Sequence, residues 1–217
     1  MKILLLGANG QIGWELKRSL LPLGQVKACD RHTVDFENLD GLRKLVRHYC
    51  PNVIVNAAAY TLVDRAESEP DKAYRINSEA VGLLAYEAKN LDSWLIHYST
   101  DYIFDGTKKC AYIETDKPNP QSVYGKTKLQ GEQAIEVSGC MYLIFRTSWV
   151  YATRGKNFVT TIIRLAKEHN EVKVVSDQIG APTSAELIAD VTSLCLYLIF
   201  QDKVPAKNRA GIFHLTP

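Results

Sequence analysis

The stretch KILLLGANGQIG at residues 2–13 decides the fold, because it predicts a buried strand, a glycine-rich turn and the start of a helix. In such a turn Gly7 permits the tight bend, Gly10 lets the backbone approach a pyrophosphate, and Gly13 allows close packing of helix against strand. Unpaired N–H groups at the helix N-terminus then attract phosphate oxygens. The spacing is G-x-x-G-x-x-G, and a glycine-rich turn without a ligand is the alternative. Its place between the first strand and the first helix favours a dinucleotide site.

The end of the second predicted strand, residues 25–30, bears on the choice of cofactor. Asp30 stands where an acid usually accepts hydrogen bonds from the adenosine ribose and favours NADH. Arg31 follows directly and offers a positive charge to the 2′-phosphate of NADPH. The residues therefore predict NADPH or NADH without choosing between them, and a solvated acid at the strand end is the alternative for Asp30.

Short apolar segments alternate with amphipathic segments through the first part of the chain. The apolar segments predict strands at residues 2–6, 25–30, 53–56, 94–99 and 141–146. The amphipathic segments predict helices at residues 11–21, 40–50, 71–90 and 122–137. Near-continuous apolar strands alternating with helices are typical of an α/β fold, here a Rossmann-like, doubly wound parallel sheet covered on both faces.

The pattern loosens after Trp149. There the sequence predicts helices at residues 157–169 and 185–200, a short strand at 172–175 and a turn-rich loop at 177–184. We therefore expect two domains. A dinucleotide-binding Rossmann domain with the catalytic residues would span residues 1–150, and a smaller, partial substrate-binding domain would span residues 151–217.

The composition argues against several classes of protein. The chain has 217 residues, of which 46% are hydrophobic and 23% are charged, as in globular domains. Its net charge of +2 includes no basic cluster, which argues against a nucleic-acid partner. The apolar runs at residues 3–6 and 191–200 are too short for a signal peptide or a membrane span. Five scattered cysteines without C-x-x-C spacing indicate reduced thiols and a cytoplasmic location.

Two further segments supply a candidate catalytic group. Thr100 follows the fourth strand, and Tyr124 and Lys128 lie at positions i and i+4 on one face of a predicted helix. A free phenol has a pKa of about 10, and a neighbouring ammonium lowers that value. A Y-x-x-x-K pair alone is a common surface pattern, but together with the glycine-rich turn it predicts the reduction of a carbonyl that Thr100 orients and Tyr124 protonates. His97, inside the fourth strand, is predicted to be a buried, hydrogen-bonded histidine.

These residues give the chain a resemblance to the extended short-chain dehydrogenases/reductases, and within them to the dTDP-4-dehydrorhamnose reductase family. The matching segments are GANGQIGWEL from Gly7, VIVNAAAYTLVDRAESEP from Val53, IHYSTDYIFDG from Ile96, YGKTKLQGE from Tyr124, FRTSWVY from Phe145 and DQIGAPTSAELIAD from Asp177. The resemblance implies NAD(P)H-dependent reduction of the 4-keto group of dTDP-4-dehydro-L-rhamnose to dTDP-L-rhamnose. That reaction is the last step of dTDP-rhamnose synthesis, which serves cell-surface polysaccharides.

The resemblance also implies roles for single residues. Tyr124 would be the catalytic acid, Lys128 its partner and the anchor of the cofactor ribose, and Thr100 the hydroxyl that orients the substrate. Asp101 and Trp149 would contact the sugar of the substrate. The other implied contacts are with the cofactor: Gly10, Gln11 and Ile12 with its pyrophosphate, Asp35 and Phe36 with its adenine, and Ala59, Tyr60, Thr61 and Tyr98 with its nicotinamide half.

Related activities are the alternatives. A sugar-nucleotide dehydratase typically needs an Asp-Glu pair after the strand-end threonine, whereas here Tyr102 follows Asp101, which favours simple reduction. Another sugar-nucleotide reductase or a 4-epimerase would share the threonine, tyrosine and lysine. A non-catalytic nucleotide-binding subunit, resembling the regulatory subunit of methionine adenosyltransferase, is a further alternative. Trp149 and the DQIGAPT segment favour the reductase over it.

A metal site and a homodimer are also implied. Glu186 and Asp190 lie at positions i and i+4 on one predicted helix, and Glu15 follows the glycine-rich turn. Acids at these positions bridge two subunits through Mg²⁺ in some related reductases, and solvated helix acids are the alternative. Reductases of this family continue well beyond the residues that match 211–215. We therefore expect retained cofactor binding but weak binding of the substrate.

Overall fold

The computed structural model describes residues 1–201 and 210–217. The strands of this part of the chain are β1 (Lys2–Leu6), β2 (Gln25–Cys29), β3 (Val53–Asn56), β4 (Trp94–Thr100), β5 (Met141–Thr147), β6 (Val150–Tyr151), β7 (Thr183–Ser184) and β8 (Gly211–His214). Six of them form a central parallel sheet in the order β2–β1–β3–β4–β5–β8, and β6 pairs with β7. The predicted Rossmann-like parallel sheet is confirmed.

Helices cover both faces of this sheet. They are α1 (Gln11–Ser19), α2 (Leu39–Tyr49), α3 (Val63–Ala66), α4 (Pro70–Tyr74), α5 (Ala80–Asn90), α6 (Val123–Ser138), α7 (Phe158–Glu168) and α8 (Ala185–Phe200). Successive strand residues point to opposite faces. Leu4 and Ile54 therefore pack with α2, α5 and α6, whereas Ile3 and Leu5 pack with α1 and α8. Burial of both faces explains why the strands are near-continuous apolar runs.

The predicted helix at residues 71–90 is interrupted in the structure. Between α4 and α5, residues Arg75–Glu79 form a π-helical turn. Such turns are rare and occur frequently at functional sites. This one places Asn77 in a buried position, with 1% of its surface exposed. The interruption is invisible in the sequence because the apolar positions around it keep a helical spacing.

The predicted strand at residues 172–175 is wrong. These residues adopt no regular structure, and Val174 and Val175 are exposed. Their β-branched side chains suggest a strand, but no described strand lies beside them to complete a hydrogen-bond ladder. The short strand of this region is instead β7. It pairs with β6, the strand that follows β5 in the sequence.

The last elements of the chain pack with the first ones. Ile188 and Leu196 of α8 lie in the same core as Ile3 of β1, and β8 extends the central sheet beside β5. These two elements therefore pack with the sheet of the first 150 residues, and the domain boundary at residue 150 stays a prediction. The apolar run at residues 191–200 forms part of α8. Among the described residues, no helix is long and apolar enough to cross a membrane.

The order of the strands positions a crevice. Because β1 lies between β2 and β3, the connections that follow β1 and β3 leave the sheet in different directions. In open α/β sheets such a switch point opens a ligand crevice at the carboxyl ends of the strands. The glycine-rich turn follows β1 and the segment Ala57–Leu62 follows β3, so both lie at this crevice.

Candidate active site

A cavity of about 490 Å³ opens at the crevice. Nine residues that the sequence analysis assigns to cofactor binding line it: Gly7, Gly10, Asp30, Arg31, Asp35, Phe36, Ala59, Tyr60 and Thr61. Asn9, Arg65, Glu69 and Lys72 also line the cavity, although no motif in the sequence pointed to them. Charged residues on short helices resemble an ordinary solvated surface, so the sequence contains no signal for the last three.

The glycine-rich turn leaves space and donors for a pyrophosphate. Gly7 has a φ of +78°, and a Cβ on it would lie 2.5 Å from the backbone nitrogen of Ala58. A Cβ on Gly13 would collide with the carbonyl oxygen of Gly7, so close packing requires this glycine. Gly10 lines the cavity, and no described side chain caps the N-terminus of α1. Its N–H groups therefore suit phosphate oxygens, and the turn fits the pyrophosphate of NADPH or NADH.

The side chains of Gln11 and Ile12 are engaged elsewhere. Oε1 of Gln11 accepts a hydrogen bond of 2.8 Å from Asn157, and its Nε2 donates to the carbonyl oxygen of Val150 at 3.4 Å. Ile12 packs against the apolar core beneath α1. Only the backbone of Gln11 and Ile12 is therefore free to make the predicted contacts with the pyrophosphate.

Asp30 shapes the turn after β2. Its Oδ1 accepts hydrogen bonds from the backbone N–H groups of His32 and Thr33 and from the Thr33 hydroxyl, at 2.9–3.0 Å. Its Oδ2 accepts a hydrogen bond of 2.7 Å from Asn9. The hydrogen bonds from Thr33 lower the pKa of Asp30. A ribose hydroxyl at Asp30 would therefore compete with bonds that hold the turn in place.

Three basic side chains line the cavity. Nitrogen atoms of Arg31 and Lys72 lie 3.8 Å and 3.1 Å from the same carboxylate oxygen of Glu37. Arg65 pairs with Glu69, whose other oxygen accepts a hydrogen bond from the hydroxyl of Tyr60. The long contact of Arg31 and its exposure leave its guanidinium available to a phosphate. This group of cations suits the 2′-phosphate of NADPH without excluding NADH.

Tyr124 lies in the first turn of α6, beside the carboxyl end of β4. The hydroxyl of Ser122 caps this helix by accepting the N–H of Gly125 at 3.1 Å, which fixes the helix start. The ring of Tyr124 packs edge-on against Tyr102, with centroids 5.6 Å apart. Burial raises the pKa of Tyr124 to about 12, and the hydroxyl of Thr100 opposes that shift. The lowering predicted from the Lys128 ammonium is therefore wrong for the protein without cofactor, because burial of the phenol dominates. Tyr124 therefore keeps its proton in neutral solution until a stronger base appears on the substrate.

Lys128 follows one turn later on the same buried face of α6. Its Nζ donates a hydrogen bond of 2.6 Å to the carbonyl oxygen of Tyr98 and lies 3.1 Å from Nε2 of His97. Burial lowers the pKa of Lys128 to about 8, and the carboxylate of Glu132 opposes that shift. A lysine with this pKa exchanges its proton close to neutral pH, as an acid–base partner must.

Asp101 and Trp149 lie where β4 and β5 end. Oδ1 of Asp101 accepts a hydrogen bond of 3.1 Å from the Thr100 hydroxyl, and its Oδ2 accepts one of 2.5 Å from Ser148. Trp149 has a left-handed backbone with φ of +45°, and its ring lies against Gly180. The structure therefore brings both predicted substrate residues to the same edge of the sheet as Thr100.

The side chain of Tyr98 does not face the cavity. Its ring packs in the core on the α8 side of the sheet, and its hydroxyl lies 2.9 Å from that of Thr192. The predicted contact of Tyr98 with the nicotinamide half is therefore not supported for its side chain. Successive residues of β4 point to opposite faces, so Tyr98 and His97 cannot both face α6.

Asn77 is a residue of the site that the sequence analysis missed. Its amide oxygen accepts the N–H of Tyr60 at 2.8 Å, and its amide nitrogen donates to the carbonyl of Tyr60 and to the hydroxyl of Thr127. These bonds tie the cavity loop after β3 to the helix that contains Tyr124 and Lys128. An asparagine in the middle of a predicted helix is the only signal for it in the sequence.

The three acids of the predicted metal site do not form a metal centre within the described chain. No group of three or more His, Cys, Asp or Glu residues converges there. Arg18 instead pairs with Asp190 at 3.0 Å and approaches Glu15 at 4.0 Å, and Glu186 is exposed. A cation in this place would have to compete with the guanidinium.

Comparisons with known proteins identify the family of this chain. A family profile described as "RmlD substrate binding domain" matches residues 1–217. The dTDP-4-dehydrorhamnose reductase of Burkholderia thailandensis is 50% identical over 216 residues, which are 100% of this chain and 72% of that protein. The reductase of Escherichia coli K12 is 48% identical over 219 residues, which cover 99% of this chain and 72% of that protein.

Solved structures give the same result. The dTDP-4-dehydrorhamnose reductase of Clostridium acetobutylicum has a TM-score of 0.90 and 41% identity, covering 100% of this chain and 74% of that one. The reductase of Bacillus anthracis, solved in complex with NADP, has a TM-score of 0.90 and 35% identity, covering 99% and 74%. Fold and site together define an extended short-chain dehydrogenase/reductase. Within that class, the chain belongs to the dTDP-4-dehydrorhamnose reductase family.

Proposed function

We propose that the protein reduces the 4-keto group of dTDP-4-dehydro-L-rhamnose to dTDP-L-rhamnose, with NADPH or NADH as the cofactor. The observation that carries this proposal is the placement of Tyr124 and Lys128 against the carboxyl end of β4. The hydroxyl of Thr100 acts on that of Tyr124, and Nζ of Lys128 bonds to the carbonyl of Tyr98. Tyr124 also packs with Tyr60, which lines the cavity proposed for the dinucleotide. The family of named reductases, 50% identical over the whole chain in one case, supplies the substrate.

When bound, the reduced nicotinamide would supply the hydride for the carbonyl carbon. As negative charge develops on the carbonyl oxygen, Tyr124 donates its phenolic proton to that oxygen and becomes a phenolate. Thr100 orients the oxygen through its hydroxyl, which exchanges its bond with Asp101 for one with the substrate. Lys128, when protonated, stabilises the phenolate by its positive charge. Asp101 and Trp149 are proposed to hold the sugar.

The alternatives are less well supported. A dehydratase needs a second acid beside Asp101, and the residue there is Tyr102, whose ring packs against Tyr124. The UDP-glucose 4-epimerase of Thermus thermophilus shares only the fold, with a TM-score of 0.79 and 20% identity. The named relatives favour catalysis over a binding-only subunit.

Turnover with the keto-sugar nucleotide tests the proposal. The purified protein should oxidise NADPH or NADH when dTDP-4-dehydro-L-rhamnose is present, and the product should be dTDP-L-rhamnose. Tyr124→Phe should lower kcat by about 10²-fold or more while cofactor binding persists, because the phenol is the acid. Tyr86→Phe, at an exposed site on α5, is the matched control and should keep normal turnover. Cofactor binding without oxidation of either cofactor would refute the proposal.

A homodimer, a Mg²⁺ site and a cytoplasmic location remain predictions. All five cysteines are free in the structure, which supports a reducing compartment. A Mg²⁺ bridge at Glu15, Glu186 and Asp190 would need further oxygen ligands from a second chain. Chelation with EDTA, followed by mass measurement in solution, tests the bridge: a fall from dimer to monomer is expected. An unchanged mass and turnover would remove it.

A further inference from the structure

Lys128 lies at the end of a buried chain of hydrogen bonds that the proposed reaction does not use. His97 is fully buried in β4, with its Nε2 3.1 Å from Nζ of Lys128. Its Nδ1 lies 3.2 Å from the side-chain nitrogen of Asn56, the last residue of β3. Oδ1 of Asn56 accepts a hydrogen bond of 3.1 Å from the backbone N–H of Ala58. This chain of hydrogen bonds therefore runs from β3 across β4 to α6.

The donors along this chain fix the position of each proton. A backbone N–H can only donate, so Ala58 requires the oxygen of the Asn56 amide on its side. The amide nitrogen of Asn56 must then donate to Nδ1 of His97, which is the acceptor. A neutral imidazole whose Nδ1 accepts has its proton on Nε2. That proton points at Nζ of Lys128.

An N–H group pointing at Nζ favours the neutral amine. The neutral amine offers a lone pair to Nε2–H of His97 and keeps a hydrogen for the carbonyl oxygen of Tyr98. An ammonium has three hydrogens and no lone pair, so it cannot accept the hydrogen bond from Nε2–H of His97. Two hydrogen-bond donors would then face each other. The resulting mismatch is costly because both groups are buried.

The surrounding titratable groups act in both directions. Burial, and then the charge of Lys128, lower the pKa of His97 well below its usual value, so the imidazole stays neutral. Glu132 of α6 favours the ammonium form of Lys128, but its carboxylate is bound to the guanidinium of Arg146 on β5. Tyr124, on the same face of α6, is neutral until it gives up its proton.

We propose that His97, held in the Nε2–H tautomer by Asn56, is a positioning residue. It orients Lys128 and stabilises the neutral amine that remains once the Lys128 ammonium has passed a proton to the phenolate of Tyr124. The inference rests on the proposed reduction, in which a protonated Lys128 stabilises the phenolate of Tyr124. His97 and Asn56 act through Lys128, because both are buried and, among the residues that the structure describes, their side chains bond only to each other, to the N–H of Ala58 and to Lys128.

Nitrogen NMR of the protein labelled with ¹⁵N-histidine tests the tautomer directly. The His97 signals should show a protonated Nε2 and an unprotonated Nδ1 from about pH 6 to about pH 9, because the imidazole stays neutral there. In Asn56→Asp, a carboxylate can accept the proton of Nδ1, so the tautomer should switch to Nδ1–H. Asn90→Asp, at an exposed position, is the control for the added charge and should leave the tautomer unchanged. A protonated Nδ1 in the unaltered protein would overturn the proposal.

Two amide variants test the effect on turnover. In His97→Gln the amide can reach the place of Nε2 and donate to Lys128, so kcat should stay within about threefold, and the loss of activity at alkaline pH should occur at the same pH. In His97→Asn the amide reaches only the place of Nδ1, so kcat should fall about tenfold, less than for loss of the acid itself. The loss of activity at alkaline pH should then shift to higher pH, because no N–H group of residue 97 faces the ammonium of Lys128.

Equal kcat values and equal pH profiles for the two amide variants would overturn the role of His97. If His97→Asn does not fold, Asn56→Asp provides the same readout, with the alkaline loss of activity moving to higher pH. If no keto-sugar nucleotide is reduced at all, the proposed function fails. The ¹⁵N NMR measurement of the His97 tautomer needs no substrate. It then still decides whether the hydrogen bonds from Asn56 to Lys128 exist.

Discussion

The ion pair between Glu132 of α6 and Arg146 of β5 allows a quantitative prediction. Both side chains are buried, with 1% and 5% of their surface exposed, and the shortest N–O distance is 2.7 Å. Glu132→Gln removes the negative charge and leaves a buried guanidinium without a counter-charge. Breaking such a pair from one side costs about 3–5 kcal/mol. The glutamine oxygen can still accept one hydrogen bond from Arg146. We therefore expect the free energy of unfolding to fall by about 3 kcal/mol, the lower end of that range.

The assay is unfolding by heat and by denaturant. For a chain of this size, a loss of about 3 kcal/mol should lower the melting temperature by about 6–12 °C. Glu136→Gln, at an exposed position on the same helix, is the matched control and should change stability by about 0.5 kcal/mol or less. The carboxylate of Glu132 also raises the pKa of Lys128, so Glu132→Gln should move the alkaline loss of activity to lower pH. A stability loss below about 1 kcal/mol, or an alkaline loss that moves upward, would refute this reasoning.

Two further predictions concern local backbone structure. Gly7→Ala should abolish cofactor binding in a fluorescence titration, because its Cβ would meet the backbone of Ala58. Gly106→Ala has a similar φ of +75° but open space around it, so it should lose only about 1–2 kcal/mol and bind the cofactor normally. Ser184→Ala removes the cap of α8, a hydrogen bond of 3.0 Å from the N–H of Leu187, and should lower the free energy of unfolding by about 1 kcal/mol. Ser193→Ala, inside the same helix, should be nearly neutral, and equal losses for the two serines would contradict the capping role.

Much of the fold was predictable because its signals are local. The apolar runs at Lys2–Leu6 and Val53–Asn56 predict buried parallel strands, and the structure has both with the predicted bounds. The predicted strand at residues 172–175 failed because a strand needs a neighbour to pair with, and residue type alone does not supply one. The place of β8 in the central sheet was equally beyond the sequence, since its partner β5 lies far back in the chain.

The site shows the same division. The sequence alone determined the glycine-rich turn, the spacing of Tyr124 and Lys128 on one helical face, and the threonine at the end of β4, because backbone geometry and helical periodicity follow from neighbouring residues. Only the tertiary structure decided that Asp30 holds its own turn, that Tyr98 faces the opposite core, and that Asn56 and His97 reach Lys128. These arrangements join residues on different strands and helices. Burial then decides their chemistry, since a buried donor must find an acceptor and a buried charge must find a partner.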